Sequence, residues 1–241
     1  MNHKLLFPVV ILLLITACAS PVYRLVPEDE SEWIQGGQYV THNNDNITAT
    51  LRYVRHNRGM ITFDFQLINE SGERLRVDPS KYFYVAYLNH PDMGEAKRID
   101  SQFVIDPEAK ILEIDKAINR RRAGRTAEIF LDATVEIANI ASDISTNTYN
   151  SRGYAERAME RHFAAEQFDA SMYSLETQRS AWSNLSLRRT DLGDEQELSG
   201  FLHIPHNTEA NYIEIIIPIA ETQTEFKFLY NQKRFSAYND R

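Results

Sequence analysis

Ile61-Thr62-Phe63-Asp64-Phe65-Gln66-Leu67 alternates apolar and polar side chains without interruption. Successive side chains of a β-strand point to opposite faces, so Ile61, Phe63, Phe65 and Leu67 share one surface and Thr62, Asp64 and Gln66 the other. The stretch predicts a half-buried strand, with one face on a core and the other in water. Just upstream, Ile47, Ala49, Leu51 and Tyr53 alternate with Thr48, Thr50 and Arg52 to the same effect. His56-Asn57-Arg58-Gly59 between them predicts a hairpin turn, Gly59 supplying the positive φ such turns need. Asn69-Glu70-Ser71-Gly72 predicts a second turn. Strand signals begin near Trp33. Tyr82 to Leu88 is apolar on both faces and predicts a strand covered on both sides, and Phe103 to Ile105 a further short one.

The period then changes. Asp106-Pro107-Glu108 is a helix start, with Asp as N-cap, Pro at the first position and Glu in the first turn. Ile111, Ile114 and Ile118 follow at helical spacing, and Arg120 to Arg122 with Gly124 are expected to close the element. From Thr126 to Ile144, Phe130, Ala133, Ile137, Ile140 and Ile144 form one stripe, and Glu128, Asp132 and Glu136 another. The spacing reads as an amphipathic helix, with a strand as the alternative that its β-branched residues leave open. Thr146 to Gly153 reads as a polar loop. Tyr154 to about Trp182 is helical again, with two apolar stripes out of phase that predict a break or kink between Ala164 and Asp169. Strands are expected to resume at Leu185–Arg189, Leu198–Ile204, Tyr212–Ile219 and Glu225–Tyr230. Ile213, Ile215, Ile217 and Ile219 share one face of the third, as Phe226, Phe228 and Tyr230 do of the last.

Strands, then helices, then strands is the order of an α+β chain whose β-domain is interrupted by a helical insertion. Neither half holds enough strands to close a core alone, so the halves are expected to pair as a two-sheet antiparallel sandwich. The divisions expected are a signal at 1–17, a linker at 18–32, the sandwich at 33–105 plus 185–232, the insertion at 106–184 and a tail at 233–241.

The strand pieces resemble immunoglobulin-like β-sandwich domains of bacterial envelope lipoproteins. One match runs from Phe63-Asp64-Phe65-Gln66-Leu67-Ile68-Asn69-Glu70-Ser71-Gly72 to Val77-Asp78-Pro79 and the Tyr82 strand. In such domains a strand ends at Asn-x-Ser. The second match is Leu187-Arg188-Arg189-Thr190-Asp191-Leu192, then Gly200-Phe201, Pro205 and a terminal aromatic strand. Gly193-Asp194-Glu195 stands where that family's turn has Pro-Gly-Glu. The resemblance implies an immunoglobulin-like fold and carries no catalytic residues.

At the N-terminus, Lys4 is followed by the apolar block Leu5 to Ile15, shorter than the roughly 20 residues of a membrane-spanning helix and within the length of a secretory h-region. Ile15-Thr16-Ala17-Cys18 then resembles the lipobox cut by the lipoprotein signal peptidase. The resemblance implies cleavage after Ala17, acyl groups on the Cys18 thiol and attachment to a membrane. Ala19 stands where lipoproteins kept at the inner membrane often carry Asp, so the outer membrane, on its periplasmic side, is implied. An ordinary secretory signal is the alternative, since Ala17-Cys18-Ala19 also has the A-x-A form. Cys18 is the single cysteine of the chain. The mature chain therefore lacks a cysteine for a disulfide, a nucleophile or a thiolate metal site.

Loss of residues 1–17 removes Lys4 and takes the formal charge from -8 to -9. So acidic a chain is poorly suited to nucleic acid or to anionic lipid. Arg120-Arg121-Arg122 with Arg125 is the one basic cluster, read as a helix C-terminus complementing the macrodipole. G-x-S-x-G, P-loop, G-x-G-x-x-G, H-E-x-x-H and EF-hand patterns are missing from the sequence. No metal or cofactor is expected. His203-Ile204-Pro205-His206 is the closest histidine pair, read as a solvent-exposed turn edge rather than as metal ligands. His162, with Glu166 four residues on and Glu160 nearby, is either a general base held by a carboxylate or a surface pair. Glu128, Asp132 and Glu136 read as a solvated face. Trp33 and Trp182 are the aromatic candidates for a recognition surface. The function expected is a non-catalytic envelope module docking another protein or an envelope polymer, with a hydrolase built on His162 or a small-ligand binder as rivals.

Overall fold

A computed structural model describes residues 22–57, 59–94, 96–146, 151–219, 222 and 224–235, with helical side chains described up to Asn139 and again from Glu156. The strands are β1 (Val22–Pro27), β2 (Ser31–Ile34), β3 (Gly37–Asn44), β4 (Ile47–Asn57), β5 (Met60–Asn69), β6 (Leu75–Val77), β7 (Phe83–Tyr87), β8 (Arg98–Phe103), β9 (Thr190–Leu192), β10 (Gln196–Pro205), β11 (Tyr212–Ile219) and β12 (Thr224–Phe235). The helices are α1 (Pro107–Thr146) and α2 (Ser151–Leu185). The chain divides into a sheet unit, 1–104 with 190–241, and a helical unit, 105–189.

In the sheet unit two five-stranded antiparallel sheets run β1-β12-β11-β7-β8 and β10-β5-β4-β3-β2, with β6 and β9 as a small third pair. The α+β class and the two antiparallel sheets are as expected, and the arrangement is consistent with a β-sandwich. The alternation that opened the reading of the chain accounts for the core. Ile61, Phe63, Phe65 and Leu67 of β5 are buried, as are Ile47, Ala49 and Leu51 of β4. Ile213, Ile215, Ile217 and Ile219 of β11 and Phe226, Phe228 and Tyr230 of β12 are buried from the other sheet. The two sheets meet at Phe63 and Tyr230, whose rings lie 5.2 Å apart. The Tyr230 hydroxyl donates to the Leu51 carbonyl at 3.2 Å, so this buried polar group is satisfied across the core.

The Asn-x-Ser turn owes its shape to Asn69, which is fully buried. Its amide nitrogen donates to the carbonyls of Glu73 at 2.7 Å, Leu192 at 3.3 Å and Gly193 at 2.9 Å. Its oxygen accepts from the backbone and hydroxyl of Ser71. One side chain thus ties the β5–β6 turn to the β9–β10 turn, and Gly72 supplies the positive φ of 81° that the turn requires.

Five expectations are corrected. The segment 18–32 is not linker throughout, because β1 and β2 fall within it. β1 pairs residue by residue along β12, from Val22 opposite Phe235 to Pro27 opposite Tyr230, and buries Leu25. As an edge strand it accommodates Pro27, whose missing N–H costs no ladder bond there. β12 likewise continues into the supposed tail, as far as Phe235. Residues 185–189 do not form a strand, since α2 runs to Leu185 and β9 starts at Thr190. Lastly, Gly124 does not end a helix. α1 is one element of 40 residues and α2 one of 35, because a single glycine costs a helix interior only about 1 kcal/mol. The expected break between Ala164 and Asp169 is likewise bridged by continuous helix. The start of α1 is as read: Asp106 Oδ1 accepts from the Glu108 N–H at 3.0 Å. The Arg188 guanidinium grips Glu108 with two bonds, at 2.7 and 2.8 Å.

Candidate functional site

The helical unit is an antiparallel hairpin held by polar contacts along its length. Asp115 pairs with Arg179 at 2.6 Å, Arg121 donates to the Ser171 hydroxyl at 3.0 Å, and Arg122 pairs with Glu176 at 3.2 Å. Arg120 to Arg122 therefore stand in mid-helix, and two of them bridge to the neighbouring helix rather than capping a C-terminus. Further along, Glu136 pairs with Arg161 at 3.3 Å and with Arg157 at 3.6 Å. Arg125 contacts Glu128 at 3.4 Å and lies 5.9 Å from the centre of the Phe168 ring. Ile111, Ile114 and Ile118 of α1 and Met172 and Trp182 of α2 are buried.

In the distal half of α1 the apolar stripe is not buried as expected, while of the carboxylate stripe Glu128 and Asp132 are exposed and Glu136 half-buried. Glu128, Asp132 and Glu136 line a groove of about 380 Å³ together with Arg157, Glu160 and Arg161 of α2. The apolar stripe faces outward, with Phe130 75% and Ile137 69% exposed, alongside exposed Ile129, Leu131 and Val135. Met159 and Phe163 of α2 are exposed as well. The remaining stripe residues, Ile140 and Ile144, have side chains outside the described residues, as does Tyr154. Glu136 thus pairs across the hairpin, Glu128 and Asp132 stay exposed at the groove beside Leu131 and Val135, and the large apolar side chains of the stripe lie in water. Soluble chains rarely do this unless something covers the surface.

The other site candidates fare differently. His162 is 74% exposed and lies 3.9 Å from Glu166, so it is a solvent-facing surface pair with no second catalytic group assembled on it. Trp182 is only 8% exposed and serves packing rather than recognition. Trp33, 62% exposed on β2 beside exposed Ile34, remains available as a contact residue. Cys18 lies outside the described residues.

His203 and His206 do not act as a pair and are not an exposed turn edge. His203 sits beside the Thr62 hydroxyl at 3.1 Å, and burial, with the Arg55 charge nearby, pulls its imidazole down to about 4. His206 instead packs on His56, their ring centres 4.1 Å apart, and on Tyr23 at 4.5 Å. Among the described residues the Nε2 atoms of His56 and His206 are buried without a hydrogen-bond partner. Burial and the neighbouring His56 push His206 below the ordinary histidine range, against the opposing pull of the Gln232 side chain. A proton on His206 would be poorly solvated against the His56 and Tyr23 rings, so the packing favours its neutral form. Strand alternation offered no signal for this cluster. It joins the end of β4, the residue after β10, β1 and β12, which meet only through the sheet order. Among the described residues no group of three or more His, Cys, Asp or Glu side chains could hold a metal ion. No protein-family model, curated protein or solved structure matches the chain.

Proposed function

We propose that the chain is a bacterial lipoprotein of the cell envelope, cut before Cys18 and held in the outer membrane, facing the periplasm, by acyl groups on that cysteine. It acts there as a non-catalytic docking module for another envelope protein or an envelope polymer. The sheets form an immunoglobulin-like sandwich in this reading, and the helices are an insertion that carries specificity. What supports anchoring is the order of charge, apolar block, small residues and lone cysteine in residues 4–18. What supports docking is the outward apolar surface of the α1–α2 hairpin, including Phe130, Ile137, Met159 and Phe163. Apolar side chains at i, i+3, i+4 and i+7 spacing are the elements by which a helix enters a partner's groove, and they favour a protein partner over a polar polymer.

The test is in vivo crosslinking followed by purification of the acylated chain from membranes. Cys18→Ala serves as the unanchored control and Phe130→Glu/Ile137→Glu as the surface control. A discrete envelope partner is expected, lost in both controls. A partner retained by the Phe130→Glu/Ile137→Glu chain would remove the hairpin from the docking surface, and capture of no partner would overturn the docking reading.

A further inference from the structure

The two ends of the sheet unit differ in charge. At one end, the β3–β4, β5–β6 and β9–β10 connections carry Asp45, Glu70, Glu73, Asp194 and Glu195, with Arg74 among them, and Glu225 stands at the start of β12. Several of these carboxylates are engaged within the fold. Asp45 accepts from the Thr224 hydroxyl at 2.6 Å, Asp194 from the Gly72 N–H at 2.9 Å, and Glu225 pairs with Lys227 at 3.0 Å.

The other end is formed by the start of β1, the ends of β4, β10 and β12, and the β7–β8 connection. Register fixes this: Val22 lies opposite Phe235, Asn57 opposite Met60, and Met60 opposite Pro205. Its cations are Arg24, Arg55, Lys97, Arg98, Lys233 and Arg234, all exposed, against Asp92, Asp100 and Glu209. Among the described residues none of these cations has a carboxylate at salt-bridge distance. Exposed Val22, Met93 and Phe235 lie at the same end. Trp33 and Ile34 join them on the flank. Trp33 pairs with Gln38, one step past the Tyr39–Arg52 pair, which sets it level with Tyr53. The Tyr53 hydroxyl in turn donates to the Tyr23 carbonyl on β1 at 3.2 Å.

We propose that this end of the sheets is a contact face for an anionic phospholipid surface. The proposal rests on the reading of Cys18 as the acylated residue. Val22 is the fourth residue after Cys18, and an extended chain advances at most about 3.6 Å per residue, so β1 begins within roughly 15 Å of the anchored sulfur. The acyl chains put that sulfur at the bilayer interface. A tether this short lets the arginines and lysines of this end come within a Debye length of the headgroups, where anionic lipid attracts them. Tryptophan and long cationic side chains are the residues whose mixed polar and apolar character suits that depth. The carboxylate-rich end points away from the same surface. A net-acidic chain thereby presents lipid with the cationic end of its sheet unit, which revises the expectation that it would shun anionic membranes.

The test uses the full chain, purified from membranes and reconstituted into vesicles that carry a headgroup nitroxide, made with phosphatidylcholine alone or with added phosphatidylglycerol. Intact mass first reports acylation of Cys18, and an unacylated chain would overturn the anchoring reading on which the face depends. With an acylated chain, Trp33 fluorescence is expected to be quenched about twofold more in the anionic vesicles, with the excess removed by high salt. Trp33→Phe gives the Trp182 background. Arg24→Glu/Lys233→Glu/Arg234→Glu, exposed positions whose folding is checked by circular dichroism, should abolish the excess while leaving acylation intact. An acylated chain whose Trp33 is unquenched, or whose quenching ignores phosphatidylglycerol and the charge reversal, would overturn the proposal and leave anchoring standing.

Discussion

At the scale of single residues, two side chains carry more of the fold than their size suggests. Asn69 donates from one amide to three carbonyls in two different turns. Asn69→Asp keeps the shape and the acceptor towards Ser71 but sets a carboxylate oxygen against three carbonyl oxygens in a fully buried site. The expected cost is about 3 kcal/mol, read as a lower denaturant midpoint, and it should shrink at acid pH where the new carboxyl regains a proton to donate. A wild-type midpoint at neutral pH would show that the amide is not the link between the turns. His203 sets a dependence of the opposite sense. It stays neutral in the folded chain down to about pH 4, whereas an unfolded histidine takes its proton near 6.5. Between those values the unfolded chain binds more protons, so stability falls as pH drops through that window and levels off below it. His206, pushed in the same direction, adds to the effect. With some solvent screening the His203 share is about 2 kcal/mol. Urea midpoints of wild type should therefore fall more steeply from pH 6.5 to pH 4 than those of His203→Gln, which lacks this share of the loss, and equal slopes would remove His203 as its source.

At the scale of elements, legibility followed local periodicity. β4, β5, β11 and the aromatic half of β12 were readable because each has one buried face, and a period of two has no other explanation over seven or more residues. The cap at Asp106 was readable because capping is local chemistry. β1 was missed since Val22-Tyr23-Arg24-Leu25-Val26-Pro27 is short, ends on proline and takes its strand character from pairing with residues some 200 positions away. The reach of α1 through Gly124 was missed because glycine is a mild penalty inside a helix as well as a signal after one. The same applies to the candidate site. Cys18 and the Glu128–Asp132–Glu136 stripe were visible as patterns, but which side of α1 meets α2 is decided by tertiary packing. So was the His56–His206 contact. Gly124 allows a test of the continuous helix. A Cβ built there meets nothing within 4 Å and the residue has no positive φ to preserve. Gly124→Ala should therefore raise helicity and stabilise the hairpin by about 0.5–1 kcal/mol. If Gly124 instead sat at a helix end, the same change would destabilise it.

At the scale of the molecule, the chain separates its two kinds of surface between two units. The sheet unit encloses most of its large apolar side chains in a core drawn from strands on both sides of the helices in sequence. The helical unit does the reverse over its distal half, pairing charges between helices and leaving phenylalanine and isoleucine in water. A hairpin of that kind adds little stability of its own, because exposed apolar area contributes nothing until it is covered. Its retention in a chain whose core closes elsewhere is understandable if covering it is the function. Replacing Pro107–Leu185 by a short Gly-Ser linker should then leave a cooperatively unfolding β-protein, since the buried residues of β4, β5, β11 and β12 are all retained. A linker of this size adds little loop-closure cost, which grows only by about 0.6 kcal/mol per doubling of length. The shortened chain should still be acylated and still sediment with membranes, but it should lose the crosslinked partner. Far-ultraviolet circular dichroism would lose its helical component while the thermal transition stayed sharp. A broad or absent transition would mean that the helices belong to the core, and the hairpin's exposed face would then have to be explained as a consequence of folding rather than as its purpose.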